Sequence, residues 1–141
     1  MKKQPKIGVL YSRVRVEEKW IFAVLEQLGI DYDRLDDRKF SFDMNNPEPW
    51  LKYDAVLERS ISYARGLYST RILNAWGIPT VNTAKVAEVC GNKLATVTAL
   101  SSANVPQPET RVAYTPASAL TAIEEMGYPV VLKPMVGSWG R

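Results

Sequence analysis

Two lysines and a run of glycines hold the chemistry that the residue types make most accessible. Lys133 ends an apolar stretch, and Gly137, Ser138 and Gly140 follow within a few residues, before Arg141. Glycines let backbone N–H groups converge on an anion at close range. A lysine adds a compact positive charge, and Arg141 offers a forked donor to phosphate or carboxylate. The same spacing also suits an ordinary turn with Gly137 and Gly140 at positive φ. Neither a Walker A loop nor a G-x-G-x-x-G dinucleotide fingerprint occurs. Upstream, Lys93 opens a helical pattern in Gly91-Asn92-Lys93-Leu94-Ala95-Thr96. A helix N-terminus favours anions, so a cation there points to an anionic ligand shared by helix end and lysine. The alternative is a solvated surface lysine.

A second set of candidates is basic. Arg13 and Arg15 follow the first expected strand and Arg59 follows the third. The C-terminal strand ends of a parallel sheet form its ligand crevice, where arginines suit an acidic substrate or protein surface. Solvated arginines fit the same pattern. Charge reversal at Arg13 and Arg15 is expected to weaken binding of an acidic partner and flatten its salt dependence. Asn82, just after the fourth strand, is either a turn residue or a crevice donor. Glu17 and Glu18 open a helix, where carboxylates are favourable in any case. With Glu58, they are weak acid–base candidates. Cys90 suits a buried small apolar residue better than a nucleophile, because no histidine exists to activate it. Trp20, Trp50 and Trp76 suit core or rim packing.

Composition closes off several classes. The 141 residues contain no histidine, which excludes imidazole catalysis and His-ligated metals in this chain. A single cysteine excludes an intrachain disulfide. The formal charge is +3, with no Lys/Arg block or aromatic platform of the kind nucleic acids require. No apolar run reaches the ~18 residues of a membrane span. The expectation is a cytoplasmic protein that binds neither nucleic acid nor membrane.

The elements that position these residues follow from periodicity. Strands are expected at Lys6–Ser12, Asp31–Leu35, Tyr53–Glu58 and Ile78–Val81. Between them lie one helix with Ile21, Val24, Leu25 and Leu28 on a common face, and another over Tyr63–Trp76 with Tyr68, Ile72 and Trp76 in line. Gly29 and Gly77 end the helices, and Asp36–Pro49 is a loop. This alternation predicts an α/β fold with a Rossmann-like, mostly parallel sheet. Two short helical patterns then flank Gly91-Asn92, and Val105–Pro108 is an extended connector. Glu109–Tyr114 and Tyr128–Lys133 are expected strands around a helix that Thr115-Pro116 opens and Gly127 closes. The expected domains are 1–88 and 89–141, the second truncated in its Gly-rich loop.

Taken together, Asn-Lys-x-x-Thr in a helix, a Pro-containing connector, a strand ending Val-Val-Leu-Lys-Pro and a Gly-Ser-x-Gly loop resemble the opening of an ATP-grasp fold. Val86 to Arg141, together with Ser12–Lys19 and Glu58-Arg59-Ser60, is similar to the LysX-type ligases of lysine biosynthesis, in the RimK-like family. The resemblance implies a pre-ATP-grasp domain followed by the truncated start of an ATP-grasp domain. It implies ATP and Mg²⁺ as cofactors. Lys93 and Lys133 would contact the phosphates, Lys133 also near the adenine side, and Gly137, Ser138, Gly140 and Arg141 would form the loop over them. It further implies an acyl phosphate attacked by the α-amino group of α-aminoadipate, with the acyl group from the C-terminal glutamate of the acidic carrier LysW. Arg13, Arg15, Arg59 and Asn82 would face substrate or carrier, and the protein would be a homo-oligomer. The metal ligands of the pattern lie beyond Arg141, so these 141 residues alone are expected not to catalyse ligation. Rival readings are a glutamate ligase acting on a carrier or ribosomal-protein tail, and a non-catalytic carrier-docking module.

Overall fold

The computed structural model describes residues 5–137 and divides the chain into two compact units, Met1–Glu88 and Val89–Arg141. In the first unit, β1 (Lys6–Tyr11) lies between β2 (Asp31–Asp36) and β3 (Ala55–Arg59), and β4 (Thr80–Val81) pairs with β3. All pairings are parallel, in the order β2-β1-β3-β4, with Val9 opposite Arg34 on one side and Leu57 on the other. The chain leaves β1 towards β2 but leaves β3 towards β4. The point where the strand order reverses therefore falls between β1 and β3, where open α/β sheets hold ligands at their C-terminal edge.

Successive side chains of a strand point to opposite faces, and β1 uses both. Val9 is fully buried with Phe22 and Leu25 of α1 (Val16–Gln27). Leu10 is fully buried with Val56, Trp50, Tyr53, Ile78 and Leu73, the last from α2 (Tyr63–Ala75). Phe40 and Phe42, from the connection after β2, close this second core against Trp50, with ring centroids 4.9 and 4.5 Å away. A 3-10 turn, Glu48–Trp50, delivers the tryptophan. Gly8 leaves no space for a side chain: a Cβ there would sit 2.8 Å from Leu35 Cδ1 and 3.1 Å from Val56 Cγ2. Gly29, at φ +64°, and Gly77, at φ +78°, follow the last turns of α1 and α2 in the left-handed conformation that ends helices.

The expected helix faces need correction. In α1 the buried side chains are Glu18, Phe22 and Leu25, with Ile21 partly covered, whereas Val24 and Leu28 are exposed. At 100° per residue, Val24 stands a quarter-turn or more from the buried arc. Trp20 is 67% exposed and takes no part in the core, while Trp50 is buried and Trp76 packs against it partly covered. In α2, Leu67, Thr70 and Leu73 face inward and Tyr68 outward.

The second unit contains α4 (Lys93–Ser102) and α5 (Pro116–Met126), with α3 (Ala84–Gly91) ending at its start. Thr115 Oγ1 caps α5 by accepting from Ser118 N at 3.1 Å, with Pro116 in the first turn. The strands expected at Glu109–Tyr114 and Tyr128–Lys133 are not formed. A strand exists only through the ladder it makes with a neighbour, and the described residues offer these segments none. Their β-forming side chains Val112, Tyr114, Val131 and Leu132 are accordingly exposed. Cys90 is exposed too, contrary to its expected burial, because α3 fully buries none of its side chains.

Candidate functional site

In the first unit the crevice is built where β1, β2 and β3 end. Glu18 sits in the first turn of α1 and is wholly removed from solvent. Its carboxylate accepts from Arg15 N and Nε, each at 3.0 Å, and from Arg15 Nη2 at 2.8 Å. From β3, Arg59 Nε and Nη2 both reach Glu18 Oε1 at 3.0 Å. Two guanidinium groups are thus fixed side by side by one buried carboxylate. The Arg15 side chain, helped by its backbone N–H and by Arg59, holds the Glu18 carboxyl down at about 2. Such forked, charge-assisted bonds are both strong and directional. Arg15 and Arg59 are therefore committed to Glu18, each with one terminal nitrogen not used in these bonds. Arg13 is exposed and joins no ion pair among the described residues.

A second carboxylate organises the crevice beside it. Asp37 Oδ2 accepts from Ser12 Oγ at 2.5 Å, and Asp37 Oδ1 from Arg65 Nη1 at 2.9 Å. Ser12 Oγ in turn accepts from Ile61 N at 3.1 Å, which ties the end of β1 to the loop after β3. Half-buried Glu58 packs against the backbone of α2 at Gly66, where a Cβ would stand 2.7 Å from its Oε1. Burial raises its carboxyl above the usual range. Asn82 is exposed just past β4. That turn is set by Asn74 of α2, which donates to Ile78 O at 3.0 Å and Thr80 Oγ1 at 2.9 Å and accepts from Ala84 N at 3.1 Å. Asp37 and Asn74 carry no local sequence signal beyond their positions next to a strand end and a helix end.

The second unit brings Lys93 and the glycine loop together. Lys93 Nζ donates to Gly137 O at 2.7 Å and Lys93 N to Met135 O at 2.8 Å, and Asn92 forms an antiparallel bridge with Val136. Asn92 caps α4, its Oδ1 accepting from Ala95 N at 3.1 Å. The positive end of α4 is thus met by loop carbonyls and its own cap, while the ammonium uses one of its three donors on Gly137. Gly137 has φ +127°, outside the range other residues readily adopt. Lys133 is exposed, with no hydrogen bond among the described residues. Ser138, Gly140 and Arg141 lie outside the described residues. Among those described, no group of three or more His, Cys, Asp or Glu side chains is placed to hold a metal ion, and no helix is long and apolar enough to cross a membrane.

A parallel α/β sheet in the order β2-β1-β3-β4, with charged side chains at the strand ends beside its order reversal, defines a Rossmann-like α/β protein. More narrowly, residues 7–89 match the model of the LysX preATP-grasp domain, and the chain belongs to that family. It is 35% identical over 136 residues to the glutamate–LysW ligase ArgX of Sulfurisphaera tokodaii, covering 96% of this chain and 48% of that protein. To the α-aminoadipate–LysW ligase LysX of the same organism it is 34% identical over 137 residues, with the same coverage. A crystal structure of a RimK domain ATP-grasp protein from Sphaerobacter thermophilus superposes with a TM-score of 0.82 at 28% identity, over 96% of this chain and 51% of the other. The chain thus spans about half the length of the relatives it matches.

Proposed function

We propose that this chain is the leading part of an ATP-dependent carboxylate–amine ligase that joins the α-amino group of α-aminoadipate to the C-terminal glutamate of a LysW-type carrier. The observation that carries this reading is the Lys93–Gly137 contact. It sets an ammonium, with two donors unused among the described residues, beside Gly137, whose backbone tolerates close approach, a combination suited to phosphate. ATP would supply the phosphoryl group that activates the carboxylate. Lys93 would neutralise and orient its phosphate oxygens, with Lys133 and residues Ser138, Gly140 and Arg141 contributing to the same loop. Positioning and charge neutralisation are the main protein contributions to phosphoryl transfer. Among the described residues no cluster of three or more acidic, His or Cys side chains would hold Mg²⁺.

In the first unit, Arg13 and the part-exposed guanidinium groups of Arg15 and Arg59 would meet an acidic carrier, with Asn82 at the far end of the same sheet edge. A second reading, glutamate as the amino acid, is favoured by the 35% identity to a ligase that carries glutamate in its name. The test is ligation by the whole protein, followed as the mass gained by LysW when either amino acid is offered with ATP. A gain matching α-aminoadipate is expected. A gain only with glutamate selects the second reading, and no gain with either rejects both. Arg13→Glu should weaken carrier binding roughly tenfold at low salt and flatten its salt dependence. Carrier affinity unchanged by that reversal would remove Arg13 from the interface.

A further inference from the structure

β3 ends on two charged residues, and successive strand side chains point to opposite faces. Arg59 turns to the α1 side and bonds Glu18. Glu58 turns to the α2 side, beneath buried Gly66, where a Cβ would stand 2.7 Å from its Oε1 and 3.0 Å from its Cδ. Two local preferences are broken here at once. A carboxylate sits between strand and helix with no ion pair among the described residues, although a charge in such a place needs compensation. A glycine sits inside α2, where it weakens a helix relative to alanine. The charged groups nearby are engaged elsewhere: Arg59 is bonded to Glu18, and Arg65 of α2 to Asp37, itself acidic. Burial, with Asp37 adding to it, raises the Glu58 carboxyl. An apolar side chain at this position would make the simpler core. Local rules broken without a packing gain mark positions kept for function.

What Glu58 holds is the turn from β3 to α2. Its Oε1 accepts from Ser60 N at 2.5 Å. The next amide, Ile61 N, donates to Ser12 Oγ at 3.1 Å, and that hydroxyl is itself anchored on Asp37. The turn is thus pinned at two successive amides, starting at the residue after Arg59. We propose that Glu58 is a positioning residue: its carboxylate clamps the Ser60 N–H and, with Ser12 on Ile61, fixes the turn that aims the Arg59 guanidinium at an acidic partner. The inference rests on the reading in which Arg59 meets an acidic carrier. Methionine, apolar and of similar length, would fill the space beneath Gly66 and remove the buried charge, but it would leave the Ser60 N–H without this acceptor. Glutamine removes the charge and keeps the acceptor. The two substitutions therefore separate the clamp from the fold.

Calorimetric titration of this chain with LysW at pH 7 tests the proposal, alongside urea midpoints and amide exchange at Ser60 and Ile61. Glu58→Met and Glu58→Gln should both be at least as stable as the wild type. Glu58→Met should nevertheless weaken LysW binding roughly fivefold and speed exchange at the two amides roughly tenfold. Glu58→Gln should bind and exchange as the wild type does. A role confined to stability predicts instead that binding follows the urea midpoint in both variants, and that result would overturn the proposal. So would a methionine variant that is destabilised, one with unchanged binding and exchange, or a glutamine variant as impaired as methionine. Arg59→Gln isolates the underlying reading. Binding lost in Arg59→Gln but kept in Glu58→Met rejects the clamp alone. Binding unchanged in Arg59→Gln, or absent in the wild type, rejects the carrier contact and the inference with it.

Discussion

Glu18 shows how much one carboxylate can organise at the scale of a single residue. Its charge is held between Arg15 and Arg59 and removed from water. Its folded-state pKa of about 2 lies below the ordinary 4.5. The ionised form therefore stabilises the fold fully above pH 4.5, and that contribution is lost as pH falls from 4.5 towards 2. Since both arginines are about one-third exposed, solvent screening reduces the contribution to about 2 kcal/mol. Glu18→Gln should lower stability at pH 7 by this amount and flatten the acid limb of a urea-midpoint profile. A variant whose acid limb matches the wild type would contradict the assignment. Gly8 offers an independent check in the opposite core. Gly8→Ala must displace Leu35 or Val56, and should cost about 1–3 kcal/mol in chemical denaturation. An unchanged midpoint would mean that the β1–β2–β3 register is looser than described.

At the scale of elements, the four strands and the ends of both large helices were legible in the sequence, because short apolar runs and single glycines carry those signals locally. The helix faces were not. Glu18 is buried between Arg15, three residues before it, and Arg59, which reaches it from 41 positions away in the chain, and hydropathy cannot register a partner at that distance. Trp20, the largest apolar residue of α1, faces outward for the complementary reason that the inner arc is already filled by Phe22 and Leu25. The strands expected in the second unit failed for lack of neighbours rather than lack of propensity. Asn92 was legible as a boundary and serves as the cap of α4. Asn92→Ala should cost about 1 kcal/mol, seen as faster amide exchange at Ala95 and Thr96. Exchange unchanged at those two amides would show that the cap contributes nothing measurable.

For the whole molecule, the residues proposed to meet phosphate were singled out from spacing and resemblance, and the structure joins Lys93 to Gly137. Asp37, Ser12 and Arg65 were less legible as a set, since they come together only once three strands are aligned. The proposal that this chain already holds part of a phosphate site is most directly tested by calorimetric titration with ATP and Mg²⁺, on the wild type and on Lys93→Ala. The account predicts saturable binding by the wild type and at least tenfold weaker binding by the variant, equivalent to about 1.4 kcal/mol. Equal affinity in both proteins, or no binding by the wild type, would contradict the role given to Lys93.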